Sequence, residues 1–328
     1  MVSPGLNRAN KVMIENQLGM KQGDEMLIPT TVGFLDVAQS AQMYANSIGV
    51  KAYIVQAPPV GRGEPLKALQ SMANEVDGIY GLGGGFNNKE ALQHGARVLS
   101  IIAGEEPIVR TVGNVDALKI KEQSWKIAGA LNDGNTLKIT CRNGSNFTED
   151  ISEKLGSPAM LWAGDPWECV FEFAPIGYPG YMRHPPLGTC NGTLVFDFWP
   201  PLGILNTPIK CTIEKDVIVK AEGSWEASKF WEMIKNWPER QLAELGLGIN
   251  PNARIVNYSG PEWERYKGCI HFGLGSIMPY PAYGENGKLL NPDWKPATNH
   301  TDGMLIAPTL MVDDKVICKD GVLQPPFD

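Results

Sequence analysis

The sequence predicts an α/β protein with an N-terminal doubly wound parallel sheet and a C-terminal, strand-rich α+β region. In the first half, short apolar runs alternate with amphipathic segments, which is typical of a parallel sheet covered by helices. In the second half, β-branched and aromatic runs are separated by Pro and Gly, which favours antiparallel pairs. A length of 328 residues suits two cores, so we expect an α/β domain at 1–145 and a β-rich metal-binding catalytic domain at 146–328.

The first domain is predicted to alternate strands and helices as far as residue 140. Each predicted strand is a short apolar run, and each predicted helix has apolar residues at helical spacing. The predicted strands are 26–29, 51–55, 78–81, 97–102 and 135–140, and the predicted helices are 35–47, 64–74, 89–96 and 119–131. The glycine-rich run 81–85 matches neither the dinucleotide-binding nor the P-loop spacing, which favours a tight turn over a nucleotide site.

The second domain is predicted to consist mainly of antiparallel strands with one helix. The predicted strands are 169–173, 193–198, 209–213 and 217–221, and the predicted helix is 226–236. Between the first two strands lies the proline-rich segment 175–190. A long loop in a compact domain is often functional, so this segment could be a lid or a partner-contacting arm, or else surface decoration.

Composition and charge exclude several kinds of partner. The formal net charge is -7, which argues against nucleic acid or an anionic membrane surface as a partner. The N-terminus has no signal-peptide pattern, no run of about 18 apolar residues occurs, and the six cysteines form no CxxC pair. We therefore expect a cytoplasmic protein with reduced thiols that acts on a small molecule or a short peptide.

Four residues of the second half carry the ligand types of a divalent-metal site. In His300-Thr301-Asp302, the alternation of side chains along a strand places the imidazole and the carboxylate on one face. His271 and Glu244 lie in apolar runs, where an isolated carboxylate needs a cation beside it. Taken singly, each residue could be an ordinary hydrogen-bonded side chain or a turn cap. Taken together, they predict a site for Zn, Mn, Fe(II) or Co.

Several segments of the second half resemble the aminopeptidase T (thermophilic leucyl aminopeptidase) superfamily. The resemblance covers residues 190–322, and its motifs are NGTLVFD at 191–197, AELGLGINPNA at 243–253, GCIHFGLG at 268–275, HTDG at 300–303 and PTLMVD at 308–313. The resemblance implies a metal centre in the C-terminal domain and a homo-oligomer. The metal ligands that it implies are Glu244, His271, His300 and Asp302.

The chain departs from the peptidase pattern at two positions. The resemblance implies a further glutamate before an Ala-Pro step, where Val170 stands, and a tyrosine seven residues after His271, where Met278 stands. A second metal ion is therefore an open question, and the missing roles fall to neighbouring acids and tyrosines. The catalytic candidates are Glu244, Glu168, Glu172, Tyr280 and Tyr283.

The same superfamily includes the 2,5-dihydroxypyridine 5,6-dioxygenases, for which the resemblance implies one Fe(II) held by two histidines and an aspartate. His300 and Asp302 match that pattern, whereas Glu244 stands where the other histidine is expected and His271 where a serine is expected. A ligand set of His271, His300 and Asp302 could restore two imidazoles and one carboxylate, with Glu244 as a base or an extra ligand.

Three functional hypotheses follow. Because Glu244 and His271 fit the peptidase pattern, we expect a hydrolase in which water activated by Zn, Mn or Co attacks an amide-type C–N bond. The alternative is a mononuclear Fe(II) ring-cleaving dioxygenase. The third hypothesis is a non-catalytic, metal-stabilised binding protein.

Overall fold

The computed structural model of the protein describes residues 3–58, 65–83, 85–101, 103–152, 172–174, 180–182, 188–238, 240–256, 261–275 and 299–328. The strands are β1 (Glu25–Thr30), β2 (Lys51–Gln56), β3 (Gly78–Gly81), β4 (Arg97–Ile101), β5 (Thr136–Thr140), β6 (Asn146–Asp150), β7 (Glu172–Ala174), β8 (Gly180–Met182), β9 (Cys190–Trp199), β10 (Gly203–Glu214), β11 (Val217–Glu222), β12 (Leu242–Leu247), β13 (Ile270–Gly275), β14 (His300–Leu305), β15 (Thr309–Val312), β16 (Lys315–Lys319) and β17 (Val322–Leu323).

Seven α-helices lie in the described ranges: α1 (Pro4–Lys11), α2 (Leu35–Ser47), α3 (Lys67–Ala73), α4 (Asn88–Gln93), α5 (Glu105–Ile108), α6 (Ala117–Asp133) and α7 (Trp225–Ile234). Two π-helical segments (Val12–Gln17 and Val109–Gly113) and two 3-10 turns (Val32–Phe34 and Pro261–Arg265) accompany them. None of the described helices is long and apolar enough to cross a bilayer.

The smaller sheet has five parallel strands in the order β2-β1-β3-β4-β7. Side chains alternate between its two faces, and each face is covered by helices. Leu27, Ile79 and Val98 pack with residues of α3 and α4 on one face. On the other face, Ile28 and Leu99 pack with residues of α1 and α2. The predicted doubly wound parallel sheet is therefore confirmed.

The larger sheet is mainly antiparallel and holds most of the second half. Its main path is β17-β16-β15-β5-β6-β9-β14-β13-β12-β8, and β10 and β11 continue from β9. Helix α7 packs on β10 and β11, and one large apolar cluster fills the space that these elements enclose. β12 and β13 are buried along their whole length, so any polar side chain on them needs a partner inside the protein. The predicted strand-rich second region is confirmed.

Two strands pair across the sequence boundary predicted at residue 145. β5, which precedes that boundary, joins the larger sheet through β6 and β15. β7, which follows it, joins the smaller sheet, where Leu99 pairs in parallel with Glu172. The interpretation of 169–173 as part of an antiparallel pair is therefore wrong for its described residues, because apolar alternation does not reveal which strand is the neighbour. The division into domains itself stays a prediction.

Candidate metal centre

Three neighbouring strands of the larger sheet bring the acidic candidates together. In the register of this sheet, Gly273 on β13 is opposite Glu244 on β12 and also opposite Asp302 on β14. Residues that lie opposite each other across antiparallel strands project to the same face. The two carboxylates therefore lie on either side of a position that carries no side chain.

His300 completes a compact group of possible metal ligands. One ligand atom each from Glu244, His300 and Asp302 lies within 4.8 Å of the others. His300 Nε2 is 3.2 Å from Asp302 Oδ1, as expected when an imidazole and a carboxylate lie two residues apart on one strand. The side chains of Glu244 and Asp302 are 6% and 12% exposed, whereas the His300 side chain is 26% exposed. The group is thus buried at its base and open on the His300 side.

His271 lies next to this group and outside it. Its side chain is fully buried, and Nε2 is 3.2 Å from Glu244 Oε1. The indole ring of Trp263, on the 3-10 turn Pro261–Arg265, lies edge-to-face against the imidazole with ring centroids 5.9 Å apart. The structure therefore places His271 where it can orient Glu244. Its predicted role as a metal ligand stays a prediction.

Gly273 leaves the space that a bound cation would need. A Cβ atom built at this position would lie 2.8 Å from Glu244 Oε2 and 2.9 Å from His300 Cε1. The two side chains therefore border the volume directly above the glycine. Asp302 Oδ1 is also buried, and its contact with His300 Nε2 is the one polar contact that it has among the described residues. Two carboxylates and an imidazole around one small space fit a divalent metal ion.

Negative charge dominates the electrostatics of the group. Burial acts to lower the pKa of His300, but the charges of Asp302, Glu244 and Glu264 outweigh it and raise this pKa to about 9. Burial likewise opposes protonation of His271, and its contact with Glu244 and the other nearby carboxylates raise its pKa above the ordinary value. An excess of carboxylate thus favours a positive charge here, either a proton or a metal ion.

Glu264, which was not predicted from the sequence, belongs to the same electrostatic environment. It lies on the 3-10 turn Pro261–Arg265 and forms an ion pair with the buried Arg265. Burial raises the pKa of Glu264 to about 7, although the charge of Arg265 opposes the shift. The alternation of acidic, aromatic and basic residues in PEWER was the available signal, but such a pattern is more typical of an exposed turn.

The remaining catalytic candidates lie elsewhere or outside the described residues. Glu172 lies on β7, at the edge of the smaller sheet beside Leu99. Glu168, Tyr280 and Tyr283 are outside the described residues, as are Val170 and Met278. Only part of the segment 175–190 is described, and in it β8 pairs with β12 beside Glu244. The roles of these four candidates stay predictions.

Comparison with known proteins identifies the chain's relatives. A family model described as 2,5-dihydroxypyridine 5,6-dioxygenase (NicX) matches residues 35–325. The solved structure of 2,5-dihydroxypyridine dioxygenase from Pseudomonas putida KT2440 is similar over 99% of this chain and 99% of its own, with a TM-score of 0.79 and 19% identity. Wild-type AmpT from Thermus thermophilus is similar over 97% of this chain and 98% of its own, with a TM-score of 0.66 and 13% identity. No curated protein matches the chain.

These findings correct the preference for a hydrolase. That preference rested on Glu244 and His271, two positions of the peptidase pattern, whereas the dioxygenase family model matches almost the whole chain. The fold is shared with both solved structures, so the fold alone does not favour hydrolysis. Because the family model spans residues 35–325, this protein belongs to the 2,5-dihydroxypyridine 5,6-dioxygenase (NicX) family.

Proposed function

We propose that this protein is a mononuclear Fe(II) dioxygenase that opens the ring of a small dihydroxylated heteroaromatic compound of the 2,5-dihydroxypyridine class. The observation that carries the proposal is the convergence of Glu244, His300 and Asp302 around the space above Gly273, in a chain of the dioxygenase family. The strands on either side of β13 supply one imidazole and two carboxylates, which are ligand types suited to Fe(II).

The residues around the space above Gly273 would have different roles in the reaction. Glu244, His300 and Asp302 would hold the ion, and Fe(II), when bound, would supply the redox chemistry for the reaction of the ring with O2. His271 Nε2 lies 3.2 Å from Glu244 Oε1, so it holds that carboxylate in one orientation. Glu244 Oε2 then faces the space above Gly273. The buried base of the group keeps bulk water from its carboxylates.

The exposed side of the centre gives the substrate its access. Among the three grouped residues, His300 is the most exposed, whereas Glu244 and Asp302 lie at the buried base. A flat ring would therefore approach from the His300 side. The two carboxylates balance the charge of a divalent ion, so we expect a neutral or singly ionised ring to bind more readily than a dianion.

Metal analysis and oxygen uptake test the proposal. Protein purified anaerobically and reconstituted with Fe(II) should hold one iron per chain. With 2,5-dihydroxypyridine it should consume one O2 per ring and form a product heavier by the mass of one O2. The Asp302→Asn variant serves as the negative control.

Two outcomes would overturn the proposal. Hydrolysis of aminoacyl amides by protein that holds two metal ions would restore the peptidase chemistry. Bound iron without turnover of any hydroxylated pyridine or benzenediol would favour a metal-stabilised binding protein.

A further inference from the structure

We propose that Arg110, Glu262 and Trp263 are positioning residues for the metal centre. In this arrangement the Arg110–Glu262 ion pair fixes the 3-10 turn Pro261–Arg265, and Trp263 on that turn fixes the His271 imidazole against Glu244. The inference rests on the proposed metal centre and extends it to residues outside the ligand group. It also links the helical layer of the smaller sheet to the chemistry on the larger one.

The Arg110–Glu262 pair is the anchor of this arrangement. Arg110 lies on the π-helical segment Val109–Gly113, and its Nη2 donates to both Glu262 oxygens, at 2.9 Å and 2.7 Å. Its Nε adds a third contact of 3.2 Å, and the Arg254 backbone N–H donates to Glu262 Oε1 at 2.8 Å. The Glu262 side chain is fully buried, and only 11% of the Arg110 side chain is exposed. A buried ion pair that loses one partner is strongly destabilised, so this contact holds its turn firmly.

A second set of contacts holds the same π-helical segment to the chain that follows β12. Asn250 Nδ2 donates to Thr111 O at 2.7 Å, and Asn252 Nδ2 donates to Arg110 O at 3.2 Å. Asn250 is fully buried and follows closely after the strand that carries Glu244. The segment Val109–Gly113 thus contacts both the turn beside His271 and the extension of the Glu244 strand.

Trp263 transmits the position of the turn to the centre. It is 4% exposed and packs between two rings, with centroids 5.0 Å from Phe198 and 5.9 Å from His271. The rings of Trp263 and His271 meet at 83°, so the indole limits rotation of the imidazole plane. With the imidazole fixed, Nε2 stays on Glu244 Oε1. Partners of this kind, one contact beyond the ligands, typically change metal affinity by about 10–100-fold.

Co(II) titration of full-length protein tests the inference, because its visible absorption reports both affinity and coordination geometry. We expect Trp263→Leu and Glu262→Gln to weaken Co(II) binding by about 10-fold or more and to change the absorption band. Trp263→Phe should retain most of the wild-type Co(II) affinity, because it keeps an aromatic ring against His271. The matched control is Arg97→Gln, which removes the Arg97–Asp24 pair of 2.8 Å beside the smaller sheet. This control should lower stability without changing the Co(II) spectrum.

A double-mutant cycle separates positioning from general loss of structure. If Trp263 acts through His271, Trp263→Leu should have almost no further effect on Co(II) affinity in a His271→Gln background. Additive effects in the cycle, or wild-type affinity and spectrum in both Trp263→Leu and Glu262→Gln, would overturn the inference. Failure of the wild-type protein to bind Co(II) would instead overturn the proposed metal centre.

Discussion

The two sheets bury polar side chains in different ways. Beside the smaller sheet, Tyr80 donates to Asn10 at 3.0 Å and Asn10 donates to Ser40 at 2.8 Å, so a buried neutral network satisfies its own hydrogen bonds. Around Gly273 on the larger sheet, the buried polar side chains include carboxylates and an imidazole, and the carboxylates raise the pKa values of His271 and His300. Burial of polar groups therefore does not by itself indicate a functional site. The indication comes from excess charge of one sign around a space.

The largest expected effect comes from removing one charge of the group. Asp302→Asn should weaken Fe(II) binding by roughly 100-fold or more and abolish oxygen uptake, because a carboxamide is a much poorer ligand than a carboxylate. Elemental analysis of reconstituted protein measures the first effect and an oxygen electrode the second. The same change at Asp313, which accepts backbone N–H groups of Asn135 and Thr136, should leave iron content unchanged. Normal iron content in Asp302→Asn would remove this residue from the centre.

The second-largest effect is expected when the space above Gly273 is filled. Gly273→Ala should sharply reduce metal content, because its Cβ would lie within 3 Å of both Glu244 and His300. Gly129→Ala is the control, because a Cβ on that α6 glycine meets no atom within 4 Å. It should stabilise the protein by about 0.5–1 kcal/mol, since alanine favours a helix. Equal metal content in the two variants would show that the space above Gly273 is not used.

The third effect is a pH dependence of the metal-free protein. His300 has a pKa of about 9 in the folded protein and an ordinary pKa of 6.5, so folding favours its protonated form. The stability that this provides is fully present below pH 6.5 and is lost as the pH rises through about 9. The Tm of the metal-free protein should therefore fall over this range, and His300→Gln should flatten the curve. A wild-type Tm that rises between these pH values would contradict the sign.

The smallest effect concerns the neutral network. Tyr80→Phe leaves the buried Asn10 Oδ1 without its donor, so we expect a loss of about 1–3 kcal/mol in the free energy of unfolding. Chemical denaturation measures this loss. Metal content should not change, because Tyr80 lies in the core of the smaller sheet. A loss of metal in this variant would show that the neutral network beside the smaller sheet also supports the metal centre.

Much of the fold could be predicted from local patterns. The 3.6-residue spacing of 35–47 predicted α2 with its observed ends, and the apolar run at 78–81 predicted β3. The assignment of β5 and β7 to sheets could not be predicted, because strand pairing depends on residues far apart in the chain. Leu99 pairs with Glu172, and nothing in either segment specifies the other.

The candidate site was predictable in its residues and less so in its geometry. Alternation along a strand was enough to pair His300 with Asp302. The register that places Gly273 between Glu244 and Asp302 is a long-range property, so neither the space nor the position of His271 beside Glu244 could be derived. The function was mispredicted because Glu244 and His271 are only two matches to the peptidase pattern, whereas the dioxygenase family model matches residues 35–325.

β7 is synthesised after β5 and β6, and this order has a consequence for the nascent chain. The β4 edge of the smaller sheet is covered by β7, whose first residue, Glu172, comes after β5 and β6 have been made for the larger sheet. A nascent chain that ends before this point exposes an unpaired parallel edge on the ribosome, and such edges are templates for aggregation. Truncated products that stop short of β7 should therefore require chaperones, whereas the complete chain covers its own edge.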